Sequence, residues 1–238
     1  MKLGIMQPYF FPYLGYWQLI QAVDLYVVYD DVNFKKGWMN RNRILIGGEP
    51  VYFNVPLLKA SQNKKINEVE VNHDGELVQK NLRKIQSAYG KAPYFREVYP
   101  LVEQILNGNG KYLSEYLADS IRLICRYLSI PTEILISSDL SKDNSLKGQD
   151  RIFDICAVLG ADTYYNAIGG QELYSYQVFR EKGIKLGFIK TYPVPYRQFA
   201  EKFIPDLSIL DIMMFNSTKE IRKMLCSYEI LMEERKDV

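Results

Sequence analysis

Two adjacent carboxylates, Asp30 and Asp31, lie ten residues ahead of an Arg-Asn-Arg triplet in the stretch DLYVVYDDVNFKKGWMNRNRI. Neighbouring acids at the end of a strand bind a metal, hold sugar hydroxyls, share a proton, or simply end the strand and pair with lysines. Lys35, Lys36, Arg41 and Arg43, with Asn40 and Asn42 among them, offer guanidinium forks and amides. A fork matches phosphate or carboxylate, and an amide both donates and accepts, so the set suits an anionic, hydroxyl-rich ligand such as a nucleotide or nucleotide sugar. The plain alternative is a solvated basic loop. Trp38 among these cations also reads as a stacking platform for nucleic acid. A net charge of +2 argues against that partner, leaving only a local patch to supply the affinity.

Other candidates stand elsewhere. Gln7 is a lone amide between an apolar run and a proline, and Tyr9, Tyr13 and Tyr16 follow it with phenols that stack or hydrogen-bond. Gly169 and Gly170 permit close backbone approach to a ligand, and Gln171 is expected to open the next helix. Several mechanisms are excluded. His73 is the single histidine, so a His-rich zinc site cannot form, and a Ser-His-Asp triad would have to be built on this one turn residue. No phosphate-binding glycine motif follows the first strand. No cofactor and no metal can be named. Cys125, Cys156 and Cys226 are odd in number and widely spaced, which predicts reduced core thiols and a cytoplasmic protein. No apolar run reaches the roughly 20 residues of a spanning helix, and no signal peptide is evident.

The elements that must position these residues follow from periodicity. KLGIM reads as a buried strand, GYWQLIQAV as an amphipathic helix and DLYVVYDD as a second strand, a βαβ unit. A second alternating series runs from TEILISSDL through QDRIFDICAVLG, DTYYNAIGG and ELYSYQVFREKG to IKLGFIK. The expected fold is α/β, a mainly parallel Rossmann-like sheet flanked by helices with right-handed crossovers. RILIGGEPVYFNVPLLK reads as a hairpin turning at Gly47-Gly48, which VEVNH extends, and three helical segments follow between Glu76 and Leu128. Residues 48–130 are therefore expected to be a β-hairpin and helical insertion within a single domain spanning 1–238. Residues 193–238 are expected to form a C-terminal loop and helices. Ligands of open α/β sheets bind beyond the carboxyl ends of the strands, which selects the loops at Gln7 to Gly15, Asp30 to Asn42, Ser137 to Gln149 and Asn166 to Gln171.

The stretch QPYFFPYLGYWQLIQAVDLYVVYDDVNFKKGWMNRNRI, with LGADTYYNAIGGQELY and YRQFAEKFIPDLSILDIMMFN, resembles the WbqC-like family along nearly the whole chain. The resemblance implies a bacterial protein linked to surface-polysaccharide (O-antigen) biosynthesis. Its motifs carry over to Gln7, Tyr9, Asp30, Asp31, Arg41, Asn42 and Arg43, and its later blocks to Gln171, Tyr196 and Ser208. Where some members have a histidine before Gln-Pro, this chain has Met6. The first block also resembles nucleotidyltransferases that bind ATP through a His-x-Gly-His turn, with Tyr13, Gly15 and Tyr16 in the motif's places. Both histidines are absent, and with them the cationic donors to phosphate.

The expected function is a transferase that adds an acyl or aminoacyl group to the amine of an amino sugar or nucleotide sugar. Asp30 or Asp31 would accept the amine's proton. Gln7, Tyr9, Tyr16, Lys36, Arg41, Asn42, Arg43, Gly170 and Gln171 would bind substrate. The alternatives are a non-catalytic glycan- or nucleotide-sugar-binding scaffold that meets other enzymes of the pathway, and a nucleic-acid binder working through Lys35 to Arg43.

Overall fold

The computed structural model describes residues 1–233. Its sheet holds six strands: β1 (Lys2–Met6), β2 (Leu25–Val28), β7 (Glu133–Ile136), β8 (Thr163–Ala167), β9 (Lys185–Thr191) and β10 (Tyr228–Met232). Their spatial order is β7-β2-β1-β8-β9-β10, parallel throughout except for β10, which runs antiparallel to β9. Counted along the chain this is the 3-2-1-4-5-6 order of Rossmann-like sheets, with the reversal between β1 and β8. β10 was not foreseen; its YEILM is a short mixed run that alone does not distinguish strand from helix end.

Side chains alternate across the sheet as a period of two requires. Leu3, Ile5, Val27, Tyr164, Leu186 and Phe188 face α5 (Gly148–Leu159) and α6 (Tyr176–Glu181). The intervening Tyr26, Val28, Tyr165 and Ile189 share the larger core with α1 (Leu14–Gln21), α4 (Leu113–Leu128), α7 (Ile209–Phe215) and α8 (Thr218–Leu225). Both faces are dry, which is why these strands read as continuous apolar runs.

Between β2 and β7 the chain makes a long excursion. β3 (Arg41–Ile46) and β4 (Glu49–Asn54) form the hairpin, with Gly47 and Gly48 at φ +60° and +84°, as a two-residue turn of this kind requires. The hairpin thus begins at Arg41, so a boundary at residue 48 divides it. The excursion also includes α4, which carries the chain back to β7. VEVNH does not extend the hairpin: its β6 (Glu70–Val71) pairs with β5 (Leu57–Leu58) in a separate ribbon. α2 (Gly75–Tyr89) and α3 (Phe95–Leu106) complete the excursion. ELYSYQVFREKG is helical only from Tyr176, being preceded by a 3-10 stretch at Ile168–Leu173. Cys125 and Cys156 are buried thiols, whereas Cys226 is exposed at the end of α8, because that position lies off the apolar face set by Ile221 and Leu225. Among the described residues no helix is long and apolar enough to cross a membrane.

One clamp ties the excursion to the sheet. Phe11, in the loop after β1, is fully buried at φ +43°, a conformation that costs a non-glycine residue about 1–3 kcal/mol. The Asn42 amide at the start of the hairpin donates to the carbonyls of Phe11 at 2.7 Å and Phe10 at 3.2 Å. The Trp17 indole and the Ile209 amide both donate to the next carbonyl, that of Pro12. Replacing Asn42 by Ala leaves two loop carbonyls short of donors and is expected to lower stability by about 1–3 kcal/mol. A shift of the urea midpoint at unchanged m-value would report this; an unshifted midpoint would show that the loop holds itself.

Candidate functional site

At the carboxyl edge of the sheet, α1 meets the segment that follows β9. Gly15, in the first turn of α1, makes this approach possible: a Cβ there would lie 2.7 Å from the Tyr13 ring and 2.8 Å from the Thr191 methyl. The junction leaves a cleft of about 270 Å³, lined among others by Tyr13, Thr191, Tyr192, Tyr196 and Asp206. It is a hollow of aromatic, proline and aliphatic surface with one carboxylate. The Tyr13 and Thr191 hydroxyls are uncommitted among the described residues, while those of Tyr192 and Tyr196 donate to Glu229 and Asp211.

That carboxylate is exposed, and among the described residues it accepts no hydrogen bond and forms no ion pair. Asp206 takes a left-handed backbone conformation, φ +57°, and its carbonyl receives Arg43 Nη2 at 3.1 Å. Burial raises the Tyr13 phenol's pKa, and the nearby Asp206 charge raises it further. Behind the opposite wall lies a second acid, fully buried. Asp211, on α7, accepts from the Tyr196 hydroxyl at 2.7 Å, the Tyr89 hydroxyl at 2.7 Å and Gln198 Nε2 at 3.0 Å. No cation pairs with it among the described residues, so burial pushes its pKa up despite these three donors. Tyr89 in turn accepts from the Leu45 amide of the hairpin. The Tyr196 proton is thus committed to Asp211, and its oxygen already accepts from Gln198 Nε2 at 3.0 Å, which leaves one lone pair to accept a further donor.

Asp30 and Asp31 lie elsewhere, latched to the 3-10 turn Ser137–Asp139 that follows β7. Asp30 receives the Ser138 amide at 3.0 Å and the Ser138 hydroxyl at 2.7 Å, one on each oxygen. Burial raises its pKa, and these bonds only partly oppose the rise. Asp31 receives Ser137 Oγ at 2.8 Å, Lys142 Nζ at 3.0 Å and Arg151 Nη1 at 3.5 Å. Burial acts to raise its pKa too, but the bonds from Lys142 and Ser137 and the charges of Lys142 and Arg151 outweigh burial and lower it. Among the described residues no hydrogen bond or ion pair joins the pair to the Arg-Asn-Arg triplet, and neither acid lines the cleft beside α1. Strand ends converge at one edge, but β2 and β7 stand on the far side of β1 from β9.

The remaining candidates divide similarly. Asn42 is the loop clamp, and Arg43 sits at the cleft rim through its bond to Asp206. Arg41 is exposed and stacks over Tyr52 with 4.3 Å to the ring centre, and Lys36 is exposed. Tyr16 is buried, donating to the Gln7 carbonyl at 3.1 Å with Tyr9 edge-on at 5.8 Å. The half-buried Gln7 side chain bonds no other described residue. Gly170 packs on Asn166, where a Cβ would come within 2.9 Å of the amide, and Gln171 lies exposed in the 3-10 stretch rather than opening a helix. Ser208 caps α7 by accepting from the Leu210 amide. His73 bonds Gly110 at the surface, and among the described residues no three His, Cys, Asp or Glu side chains converge to hold a metal. Asp206 and Asp211 escaped the sequence reading. Their one signal was a pair of acids bracketing Ser208 in the otherwise apolar IPDLSILDIMMF.

The WbqC-like protein family matches residues 7–223. The chain is also similar to the uncharacterized protein Rv1507c of Mycobacterium tuberculosis, 28% identical over 217 residues that cover 89% of this chain and 92% of that protein. No solved structure matches it.

The Asp31 cluster yields a stability test. Asp31→Ala strands two buried cations, and a loss of about 3–5 kcal/mol is expected. Because the folded pKa of Asp31 lies below its ordinary value, its contribution is full above the unfolded pKa of about 3.9 and fades as pH falls through the folded value. The wild-type advantage over Asp31→Asn in urea midpoint should therefore be constant from pH 5 to 7 and shrink below about pH 4. A pH-independent gap would mean that the ion pairs contribute nothing.

Proposed function

The chain belongs to the WbqC-like protein family, and on that premise we propose that it is a transferase of surface-polysaccharide biosynthesis, moving an acyl or aminoacyl group onto the amine of an amino sugar or nucleotide sugar. The observation that carries this reading is Asp206: an unpaired carboxylate facing a cleft of hydroxyls and aromatic rings at the carboxyl edge of a Rossmann-like sheet. A sugar ring stacks on aromatic faces and offers hydroxyl donors, which the Tyr196 oxygen can accept. An ammonium group is drawn to a carboxylate.

In the proposed step Asp206 receives a proton from the acceptor's ammonium. The freed nitrogen lone pair attacks the donor's carbonyl carbon, the C–N bond forms, the bond to the leaving group breaks with its electron pair, and the nitrogen's second proton goes to that leaving group, leaving a neutral amide. Arg43, at the rim with donors to spare, holds the anionic part of the donor or of a nucleotide-sugar acceptor. Asp206 thereby takes the role first expected of Asp30 and Asp31, whose carboxylates are occupied by Ser137, Ser138, Lys142 and Arg151. Gln7, whose amide is uncommitted, stays a hydrogen-bonding candidate.

Asn adopts left-handed backbone conformations, so Asp206→Asn removes the base with little strain. Turnover of amine-bearing nucleotide sugars with activated acyl donors should fall about 10²–10⁴-fold in this variant, at an unchanged melting temperature. Full turnover in Asp206→Asn would refute Asp206 as the base. Saturable binding of the amino sugar by wild type with every donor class inert would make the chain a binding protein instead.

A further inference from the structure

We infer that the outer face of the β3–β4 hairpin and the adjoining 33–41 and 59–65 segments form a docking surface for single-stranded nucleic acid, running outward from the cleft rim. The inference concerns binding alone and holds whether or not the cleft transfers a group.

The surface is continuous in its contacts. Arg43 bonds the Asp206 carbonyl at the rim and lies opposite Tyr52 in the hairpin register. Arg41, two residues along and so on the same face, stacks its guanidinium over the Tyr52 ring, while Lys84 donates to the Tyr52 carbonyl. Gly37 packs against the Arg41 guanidinium, its absent Cβ being the space that contact needs, and this joins the hairpin to the turn carrying Lys35, Lys36 and Trp38. Beyond that turn, Phe34 bonds Lys64 and Asn33 bridges to Lys65.

Three features select the ligand. First, none of these lysines and arginines forms a salt bridge with any described carboxylate, so their charge is open to a partner. Second, two aromatic rings stand among them far more exposed than a monomer's packing needs: Trp38 at 67% and Tyr52 at 51%. Third, the charge is local: residues 35–84 carry ten Lys and Arg against five Asp and Glu, although the whole chain is only +2. A single diphosphate engages two or three such cations. A row of cations with the open ring of Trp38 and the Tyr52 ring, covered on one face by Arg41, fits a flexible polyanion whose flat units stack, which is the pattern of single-stranded nucleic acid recognition. The near-neutral total had argued against this partner because opposite charge elsewhere in the chain masks the patch.

Fluorescence anisotropy with a labelled single-stranded oligouridylate tests the inference. Trp38→Ala removes an exposed ring, leaves the core intact and is expected to weaken binding at least about fivefold. Lys35→Gln with Lys36→Gln should reduce the slope of log K against log salt by about 1.4, the share of two phosphate contacts. Unchanged affinity in Trp38→Ala would overturn the inference. So would tighter binding of polygalacturonate than of RNA, which would make an acidic glycan the partner.

Discussion

The geometry of the site rests on the clamp at Asn42. A buried phenylalanine in a left-handed conformation is unfavourable, and the loop from Gln7 to Tyr13 holds it only because an amide from another element fills two of its carbonyls. The same loop delivers Tyr13 and Gly15 to the head of α1, and its Pro12 carbonyl is gripped by α1 and α7 together. The hairpin, α1 and α7 thus meet on one short stretch of backbone, and the cleft lies beside it where α1 meets the segment after β9.

Four aspartates show how burial and partners decide what a carboxylate can do. Asp31 is buried beside two cations and stays ionised, as part of the join between β2 and β7. Asp30 is buried against hydroxyl and amide alone, so its charge is disfavoured. Asp211 is buried with neutral donors only; it orients the Tyr196 hydroxyl and links it through Tyr89 to the hairpin. Asp206 alone has open oxygens. Chemistry needs such access, whereas the other three act through the groups they hold.

The elements were largely legible. Lys2–Met6, Leu14–Gln21 and Leu25–Val28 follow from apolar periodicity, and Gly47-Gly48 marks its turn because two successive positive φ values favour glycine. The site was legible only in part. Tyr13 and Gly15 lay in a loop that the sheet rule picks out and Arg43 just beyond another, in β3, but Asp206 lies nearly two hundred residues further on than Tyr13, in a segment with no periodicity to place it. The Asp-Asp pair was conspicuous, yet conspicuous acids at a strand end are also what a buried ion cluster requires.

By itself the sequence determined the α/β alternation, the hairpin, the absence of a histidine-rich metal site and the family kinship, because each depends on local spacing or on residue counts. Only the tertiary structure decided which acids are free and which cations are unpaired. Those properties belong to pairs of residues far apart in the chain. Asp31 meets Lys142 and Arg151, and Asp211 meets Tyr89, only once the sheet order is set; the partners, more than the residue types, settle where charge stays available.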